Sequence, residues 1–507
     1  MRCKLLIIIP TFFFSCSKYI LYSPRVPEKC VKHESSKRVS VSEKLGLNEE
    51  HMMSKTGVYT LEGGSESFVA RLWFCENAQQ TLDIQYYSVA KDNCGFIFCD
   101  YLLKAADRGV KVRLLLDALA KQMSMKDIQT LDSHENIEVR IYNPGVKHHR
   151  NAWLRVRKTL HGIRRIDQRM HIKTFTVDGT ITITGGRNIA DRYFDYDPKY
   201  NFRDRDIVLF GKAASTVKSS FEDYWNDTLS IHYEGLRIRK QHRKDYQKRY
   251  NRLHHYVCDP KNLSDQMIER ILNYPLRVKD LNKSEQLLWL DNVSYVSDKP
   301  AKNNDRNERK GGVCHDSLIE ILKQTKTSLD LQSPYLITLD DGKKFFKEMV
   351  DRGVKLRVIT NSLCSTDNEN AFSGYQRDRK ENLETGMQIY EFKPNAAVRN
   401  KLMTAESIAS LKRKSVYGFH PKTMIIDDEV SVIGSYNFDP RSADLNTESV
   451  VIIRSKEFSK LLFKHVNEEF LPENAWHTTL DYNPDSEAGL RKKWKAASRI
   501  IFPKKVL

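Results

Sequence analysis

Apolar and polar positions alternate between helix-like and strand-like segments along most of the chain. An apolar stretch with helical spacing at 66–80 leads into the strand-like run TLDIQYY at 81–87. A second helical run ends at Gly109, a usual helix stop, and the strand-like VKVRLLLD follows at 110–117. This order of strand, helix and strand predicts α/β architecture with a parallel or mixed sheet.

The same order of elements occurs twice. Three segments of the first copy recur in the second copy, in the same order and at nearly constant separations. The pairs are TLDIQYY (81–87) with SLDLQSPY (328–335), DRGVKVRLLLD (107–117) with DRGVKLRVITN (351–361), and HIKTFTVDGTITITGGRN (171–188) with HPKTMIIDDEVSVIGSYN (420–437). We therefore predict two tandem α/β domains, at 61–230 and 301–472, with a connector at 231–300.

The third repeated segment places polar residues at the ends of an apolar hairpin. Its side chains alternate around Asp178-Gly179, a strong turn pair, so the segment is expected to fold back on itself. The hairpin brings Asn188 towards His171 and Lys173, which share one strand face because strand side chains alternate. The second copy repeats these spacings with His420, Lys422, Asp427 and Asn437.

Paired histidines and lysines suit chemistry at phosphorus. Histidine exchanges a proton or attacks an electrophile near neutral pH, while lysine and asparagine donate hydrogen bonds to phosphate oxygens. Cleavage of a phosphodiester takes a nucleophile on one side of phosphorus and an acid at the leaving oxygen, which is a task for two histidines. A single His-x-Lys is more often a satisfied surface pair, but two copies with identical internal spacing are not explained that way.

The motifs resemble those of the phospholipase D superfamily. HIKTFTVD and HPKTMIID fit its H-x-K-x4-D pattern, and GGRN and GSYN fit the G-[GS]-x-N continuation. LDIQYYSV, GGRNIADRYFD, FEDYWN, FDPRSADLNTE and the tail RKKWKAASRIIFP are similar to the bacterial cardiolipin synthase branch, especially its type C. The resemblance implies mixed β-sheets flanked by helices, two domains related by a pseudo-two-fold axis, and both motifs at one active site.

The resemblance also implies roles for the motif residues. His171 attacks phosphorus and forms a phosphohistidine, while His420 acts as the acid and base. The phosphate oxygens are held by Lys173, Lys422, Asn188 and Asn437. The aspartates Asp178 and Asp427 complete the two catalytic motifs, although their place in the hairpin turn favours a role in fixing the motif's shape.

An acidic residue from the opposite copy is implied as the partner that orients each histidine. Aligning NTESVVI with DRDIVLF offers Glu448 for His171 and Asp206 for His420, with Asp204 as the competing choice. The resemblance implies no metal and no cofactor. The nine cysteines agree with this, since they are scattered without CxxC pairs.

Composition narrows the class of protein further. A hydrophobic fraction of 40% and a charged fraction of 29% are typical of a soluble globular body and exclude a polytopic membrane protein. The formal charge of +18 favours nucleic acid or an anionic membrane as partner, with a solvated basic surface as the plain alternative. The basic segment at 236–256 fits phosphate binding and a solvated inter-domain helix about equally well.

The amino terminus has the layout of a secretory signal. Two basic residues precede an apolar run at 5–14, and Ser15-Cys16 resembles a bacterial lipoprotein cleavage site. We predict a lipoprotein-like signal at 1–16, lipidation of Cys16, an irregular tether at 17–60, and a location on the periplasmic side of the bacterial envelope. A plain signal or anchor and a buried apolar segment are the alternatives.

The tail at 473–507 combines aromatic and basic residues. Trp494, Ile500, Ile501 and Phe502 accompany Arg491, Lys492, Lys493 and Lys495, which suits an anionic membrane interface or a helix docked on the body. The favoured function is phosphatidyl transfer between phospholipids to make cardiolipin, by a monomer that carries both motifs. Hydrolysis to phosphatidate, a nuclease of the same superfamily and an inactive lipid-binding lipoprotein are the alternatives. Nucleic acid is the less favoured partner because no aromatic-rich strand-binding segment stands out.

Overall fold

The computed structural model describes residues 39–118, 123–144, 168–236, 243–302 and 311–499. The predicted signal peptide with Cys16, the first part of the tether and residues 500–507 of the tail lie outside this set. Within the described ranges, no helix combines the length and the apolar run that crossing a bilayer requires.

Helices and strands alternate through both copies. The helices are α1 (Val41–Leu45), α2 (Glu49–Ser54), α3 (Gly64–Asn77), α4 (Asn93–Asp107), α5 (Met125–Asp132), α6 (Lys212–Trp225), α7 (Arg243–His254), α8 (Asp265–Leu272), α9 (Tyr274–Lys283), α10 (Val313–Lys323), α11 (Asp340–Asp351), α12 (Glu369–Glu384), α13 (Arg399–Leu402), α14 (Ala405–Ser410), α15 (Pro440–Asp444), α16 (Lys456–Glu469) and α17 (Leu490–Arg499). The strands are β1 (Thr56–Leu61), β2 (Thr81–Tyr86), β3 (Lys111–Asp117), β4 (Ile137–Tyr142), β5 (Thr174–Val177), β6 (Ile181–Gly185), β7 (Tyr200–Arg203), β8 (Asp206–Gly211), β9 (Ser230–His232), β10 (Leu288–Leu290), β11 (Val293–Ser297), β12 (Ser328–Gln332), β13 (Lys355–Asn361), β14 (Gln388–Phe392), β15 (Val416–Phe419), β16 (Thr423–Ile426), β17 (Val430–Gly434), β18 (Ser449–Arg454) and β19 (Ala475–Thr478).

Two large sheets share one topology. The first has the order β10-β1-β8-β6-β5-β2-β3-β4-β9, and the second has the order β11-β18-β17-β16-β12-β13-β14-β19. Without β10, the two orders correspond strand for strand. In each sheet three neighbouring strands are parallel, β2-β3-β4 and β12-β13-β14, while the other neighbours pair antiparallel. The predicted duplicated α/β fold with mixed sheets and flanking helices is confirmed.

The two halves pack through a shared apolar core. Ile207 and Leu209 on β8 belong to the same buried cluster as Ile433 on β17 and Val451 on β18. Helices cover the other side of the first sheet. Leu72 of α3, for example, is buried in a separate cluster with Ile84 of β2. The inner strands are therefore buried on both faces.

Polar contacts also join the halves. Strands β7 and β15, one from each half, form a two-stranded parallel sheet that pairs Arg203 with Phe419. Next to it, the buried Arg205 guanidinium donates to Gln332 Oε1 at 2.6 Å and to Thr423 Oγ1 at 2.9 Å on the second half. A charge buried this deeply is tolerated because Glu62 lies 2.8 Å from Arg205 Nε and compensates it.

Several predicted boundaries shift. The end of the predicted tether, 39–60, forms α1, α2 and most of β1, and Ser40 Oγ caps α1 by accepting from the Glu43 amide. The predicted connector supplies β10 and β11 as edge strands, one to each large sheet, in addition to its helices. The predicted tail begins with β19, which pairs with β14, so residues 475–478 belong to the second domain.

Candidate active site

Each motif is a hairpin, made by β5-β6 in the first half and by β16-β17 in the second. The turn residues Asp178 and Asp427 have positive φ values of 48° and 52°, a conformation that Asp tolerates better than most residues. The Asp178 carboxylate accepts from the backbone amides of Gln79, Gln80 and Thr81, which lead into the neighbouring strand β2. The Asp427 carboxylate does the same with residues 326–328.

These contacts correct the assignment of Asp178 and Asp427 as catalytic residues. Each aspartate lies seven residues from its motif histidine along an extended strand, a span of roughly 20 Å. The aspartates therefore anchor the turn to the sheet, at the opposite end of the hairpin from the histidine. The turn role expected from the sequence fits this geometry.

His171 meets an acid from the other half. Its Nδ1 atom lies 2.8 Å from Oε2 and 3.1 Å from Oε1 of Glu448, the residue expected to orient it. The backbone is tied across the halves as well, because the His171 amide donates to the Thr447 carbonyl at 2.9 Å. With Nδ1 bound to Glu448, the imidazole presents Nε2 as its reactive nitrogen.

His420 pairs with Asp204, not with Asp206. Its Nδ1 atom lies 2.5 Å from Asp204 Oδ2, and its backbone amide donates to the Arg203 carbonyl at 2.8 Å. Asp206 instead accepts from Arg71 at 2.9 Å and from Ser67 at 2.7 Å. The prediction of Asp206 as the orienting acid is wrong, and the competing choice occupies that position.

Strand register explains the two-residue error. Gly185 of the first motif pairs with Asp206, whereas the equivalent glycine of the second motif, Gly434, pairs with Val450. Asp206 is therefore equivalent to Val450, and the equivalent of Glu448 lies two residues earlier, at Asp204. The carbonyl of Thr447, directly before Glu448, accepts from the His171 amide, and the carbonyl of Arg203, directly before Asp204, accepts from the His420 amide. Each half therefore makes the same contacts to the other.

The two lysines sit beside the histidines in different ways. Lys173 Nζ donates to the His171 carbonyl and lies 5.7 Å from the Tyr87 ring centroid. Lys422 Nζ donates to the His420 carbonyl at 2.5 Å and also lies 2.9 Å from His420 Nδ1. Both ammonium groups are buried, so each presents a positive charge at the histidines with little competition from water.

The two asparagines are buried close to the motif ends. Asn188 accepts from the Ser88 amide at 3.2 Å and donates to the Tyr193 hydroxyl at 3.2 Å, which uses one of its two amide hydrogens. Asn437 Oδ1 is buried and has no hydrogen-bond partner within the described ranges. Both amides are buried polar groups, and their convergence with the histidines on phosphate oxygens stays a prediction.

Burial sets the charge states of the site. It lowers the pKa of His171 to about 4, against the opposing effect of Glu448, and it also lowers the pKa of His420. Burial lowers the pKa of Lys173 to about 7 and that of Lys422 to about 8. The resting histidines are therefore neutral near pH 7.

Both orienting acids stay ionised. Burial alone raises the pKa of Glu448, but His171 and Lys173 outweigh it and bring the value to about 2. The pKa of Asp204 is also about 2, because His420 and Lys422 outweigh burial in the same way. A neutral imidazole held against an ionised carboxylate carries its proton on Nδ1 and a free lone pair on Nε2.

Three further polar residues support Glu448, and sequence reasoning missed them. The Ser435 hydroxyl donates to Glu448 Oε2 at 2.5 Å, and the Ser442 hydroxyl donates to Oε1 at 2.8 Å. The Glu448 amide donates to Asp298 Oδ2 at 2.9 Å. Ser435 could have been found from the sequence, because it is the second residue of GSYN, but Asp298 lies 150 residues from Glu448 in sequence.

The fold and the crossed histidine–acid pairs define a phospholipase D-like enzyme. A family model described as "Cardiolipin synthase, PLD-like domain" matches residues 74–225 and 318–470, more than half of the chain. The chain belongs to this cardiolipin synthase-like family of the phospholipase D superfamily. Across the part of the chain that the structure describes, no three or more His, Cys, Asp or Glu side chains are grouped as a metal site.

Individual relatives agree with this placement. Cardiolipin synthase C of Escherichia coli K12 is 32% identical over 431 residues, covering 84% of this chain and 87% of the relative. An uncharacterized protein of Helicobacter pylori J99 is 30% identical over 475 residues, covering 94% of this chain and 91% of the relative. The solved phosphatidylserine synthase of Haemophilus influenzae Rd KW20 matches 90% of this chain and 99% of its own, with a TM-score of 0.59 at 13% identity, and so shares the fold.

Proposed function

We propose that this chain is a phosphatidyltransferase that makes cardiolipin from phosphatidylglycerol and a second phospholipid. The observation that carries the proposal is the pair of neutral histidines, each held by an ionised acid from the opposite half. The similarity to cardiolipin synthase C supports the choice of substrate class. A lipid substrate also places the chain at an anionic membrane, and both motifs in one chain let a monomer suffice.

In the first step, His171 Nε2 attacks the phosphorus of the donor phosphodiester. A P–N bond forms, the P–O bond to the head-group alcohol breaks, and His420 gives a proton to the departing oxygen. His171 is assigned as nucleophile because 12% of its side chain is exposed, against 7% for His420. The more accessible imidazole is better placed to reach phosphorus.

His420 must carry a proton when the alcohol departs. Binding of the anionic phosphodiester protonates it, because a negative charge beside a buried imidazole raises the pKa of that imidazole. The ammonium groups of Lys173 and Lys422 and the amides of Asn188 and Asn437 hold the phosphate oxygens as negative charge moves onto them. Substrate binding thus charges the acid that the first step uses.

In the second step, a phosphatidylglycerol hydroxyl replaces the lost alcohol. His420 removes the hydroxyl proton, the oxygen attacks phosphorus, and the P–N bond breaks to release cardiolipin and free His171. Water in place of the lipid hydroxyl yields phosphatidate. The choice between transfer and hydrolysis therefore depends on which hydroxyl reaches the phosphohistidine.

The test is lipid turnover by the purified protein. Vesicles of phosphatidylethanolamine and phosphatidylglycerol are incubated with the protein, and the lipids are resolved by mass spectrometry. We expect cardiolipin and a released alcohol, and no conversion by His171→Ala. The matched control is His477→Ala, because His477 is exposed on the strand β19 outside the site. Phosphatidate without cardiolipin overturns the transferase assignment, and turnover by His171→Ala overturns the site.

We further propose that Cys16 is lipidated and holds the folded body at the periplasmic face of the envelope. The motif that supports this is Ser15-Cys16 after the apolar run. Labelled palmitate should be incorporated in the native host and should be lost in Cys16→Ala. Incorporation in both proteins contradicts this assignment.

A further inference from the structure

The carboxy-terminal helix α17 is docked on the second domain by its inner face. Ala496 is buried in that domain's core cluster. The Lys492 ammonium donates to the carbonyls of Cys364 at 2.8 Å and Thr366 at 3.0 Å, and Lys495 lies 3.4 Å from Glu369. Lys492, expected from the sequence to be a membrane-facing cation, instead fastens the helix to the loop after β13.

The outer face of α17 is apolar and exposed. Leu490 is 85% exposed and Trp494 is 73% exposed, and their spacing of four places them on one side of the helix. Leu480 and Tyr482, in the segment that leads to the helix, are also exposed, at 62% and 43%. Leu490 and Trp494 thus form an exposed apolar strip on α17, a feature that marks an interaction surface.

Charge identifies the occupant of this surface. The helix carries five cationic residues and no acid: Arg491, Lys492, Lys493, Lys495 and Arg499. Lys492 and Lys495 contact the second domain, while Arg491 is exposed next to Leu490 in the sequence. Trp beside Lys and Arg is the composition of a helix that lies in the interface of an anionic bilayer. A protein partner would be expected to bind the exposed tryptophan without needing a helix that carries positive charges and no negative ones.

The loop that Lys492 holds also reaches the active site. The Ser365 carbonyl, between the two carbonyls that Lys492 contacts, accepts from the Tyr200 hydroxyl at 2.6 Å. Asp367 accepts from the Tyr335 hydroxyl at 3.0 Å, and the Tyr335 ring centroid lies 6.5 Å from that of His420. The docking helix is thus one loop away from the acid–base histidine.

We propose that α17 docks the protein on an anionic phospholipid bilayer, with Leu490 and Trp494 inserted, and so presents the active site to the lipids. This inference rests on the proposed function for its purpose, but the docking is a physical event that needs no turnover.

Quenching of tryptophan fluorescence tests the docking directly. Full-length protein is mixed with vesicles of phosphatidylglycerol and phosphatidylcholine whose acyl chains are brominated, so that only a tryptophan inside the bilayer is quenched. We expect quenching in the wild type and its loss in Trp494→Phe. Trp476→Phe is the matched control, since Trp476 is partly buried on β19 and should leave the quenching unchanged. Equal quenching in Trp494→Phe and the wild type overturns the proposal, as does no quenching in either.

A charge variant tests the choice of an anionic surface. Arg491→Gln with Lys493→Gln should raise the vesicle concentration for half-maximal quenching by about five-fold per neutralised charge. Lys279→Gln with Lys283→Gln on α9 removes the same charge from another exposed helix and should have little effect. An equal effect of the two pairs contradicts a surface specific to α17. Docking without turnover refutes only the proposed function, while turnover without docking refutes only this inference.

Discussion

The two histidine sites are built on the same hairpin but use acids of different length. Glu448 reaches His171 from the second half, and its carboxylate also accepts from the Ser435 hydroxyl. Asp204 is one methylene shorter, and its carboxylate lies where a side chain at Gly186 would begin, 2.2 Å from the ideal Cβ position. The second residue of each G-[GS]-x-N motif is therefore matched to the acid beside it, glycine with aspartate and serine with glutamate.

The lysines differ as well. Lys422 Nζ contacts the His420 imidazole itself, whereas Lys173 is bonded to the His171 carbonyl. A nearby cation opposes protonation of an imidazole, so in addition to burial Lys173 lowers the pKa of His171 and Lys422 lowers that of His420. The duplication therefore keeps one scaffold while the two histidines face different electrostatic surroundings, as two different chemical roles require.

Replacing each histidine should give the largest difference between the halves. His171→Ala removes the nucleophile, so turnover should be lost with every donor. His420→Ala removes a proton transfer, so turnover of a natural lipid should fall by about 10²- to 10⁴-fold. A donor with a nitrophenol leaving group needs no proton, so it should restore much of the rate of phosphohistidine formation in His420→Ala alone. Rescue of His171→Ala instead reverses the assignment of the two roles.

Exchanging the acids for amides separates Asp204 from Asp206. Asp204→Asn should lower kcat by about 10²-fold or more, because His420 loses the partner that fixes its tautomer. The thermal unfolding midpoint should change little. Asp206→Asn breaks the buried pair with Arg71 and should destabilise the fold by about 3–5 kcal/mol. Thermal unfolding and steady-state kinetics on both variants check this. An inactive but stable Asp206→Asn would restore the original assignment.

The error over Asp206 shows where sequence reasoning ends. The repeat and the spacing of the motifs predicted the α/β fold, the duplicated topology and the meeting of each His with its Lys, because these depend on local patterns. The acid depends on register, and the first copy has additional chain around β7 between its motif and its acid. Only the hydrogen-bonded pairing of Gly185 with Asp206 reveals the shift.

Contacts across the halves could not be predicted for a related reason. The Arg205 contacts to Gln332 and Thr423 join residues 127 and 218 positions apart, and no local pattern marks them. Most of strand β1 falls within the predicted tether, whose sequence is polar and irregular. Because most of β1 is buried on both faces, it lacks the alternation that identifies a half-buried strand.

Exchanging the residue beside each acid tests the match between motif and acid. Gly186→Ser places a side chain on the Asp204 carboxylate, so the fold should lose about 1–3 kcal/mol and turnover should fall sharply. Ser435→Gly creates no clash and removes one hydrogen bond to Glu448 and one from the Ser449 amide, so turnover should fall by about ten-fold. Unfolding midpoints and kcat report both effects. If Gly186→Ser is as mild as Ser435→Gly, the proposed match is wrong.

The pH dependence should distinguish the two lysines. The His171 nucleophile is neutral above its pKa of about 4, and Lys173 is charged below its pKa of about 7. The profile of kcat/KM should therefore fall below about pH 4. On the alkaline side it should fall first where His420 loses its proton, and it should become steeper above about pH 7, where Lys173 loses its charge. In Lys173→Arg the cation stays charged, so the steeper part should move to the pKa of Lys422, about 8.

The matched variant is Lys422→Arg, which should leave the steeper part near pH 7 because Lys173 still titrates there. The readout is the pH at which the alkaline limb becomes steeper, measured with a phospholipid in mixed micelles, and it does not depend on how far either arginine lowers the maximal rate. If this pH is unchanged in Lys173→Arg, Lys173 does not contribute to the limb.

The smallest effect on turnover is expected at the turn aspartates, where the two halves are most alike. Asp178→Asn and Asp427→Asn each replace a carboxylate that accepts from three consecutive backbone amides. Each should therefore lower the free energy of unfolding by about 1–3 kcal/mol. Asn tolerates the positive φ of the turn, so the hairpin should persist and the pH profile should not change.

Asp428→Asn is the control for these two variants, because Asp428 is exposed in the same turn and its replacement should cost less than about 0.5 kcal/mol. Denaturant unfolding gives the free energies, and turnover is measured on the folded proteins. Equal costs at Asp178 and Asp427 fit a structural role that duplication has preserved in both halves. Loss of turnover in a stable Asp178→Asn would instead place that aspartate in the chemistry, despite its position at the far end of the hairpin.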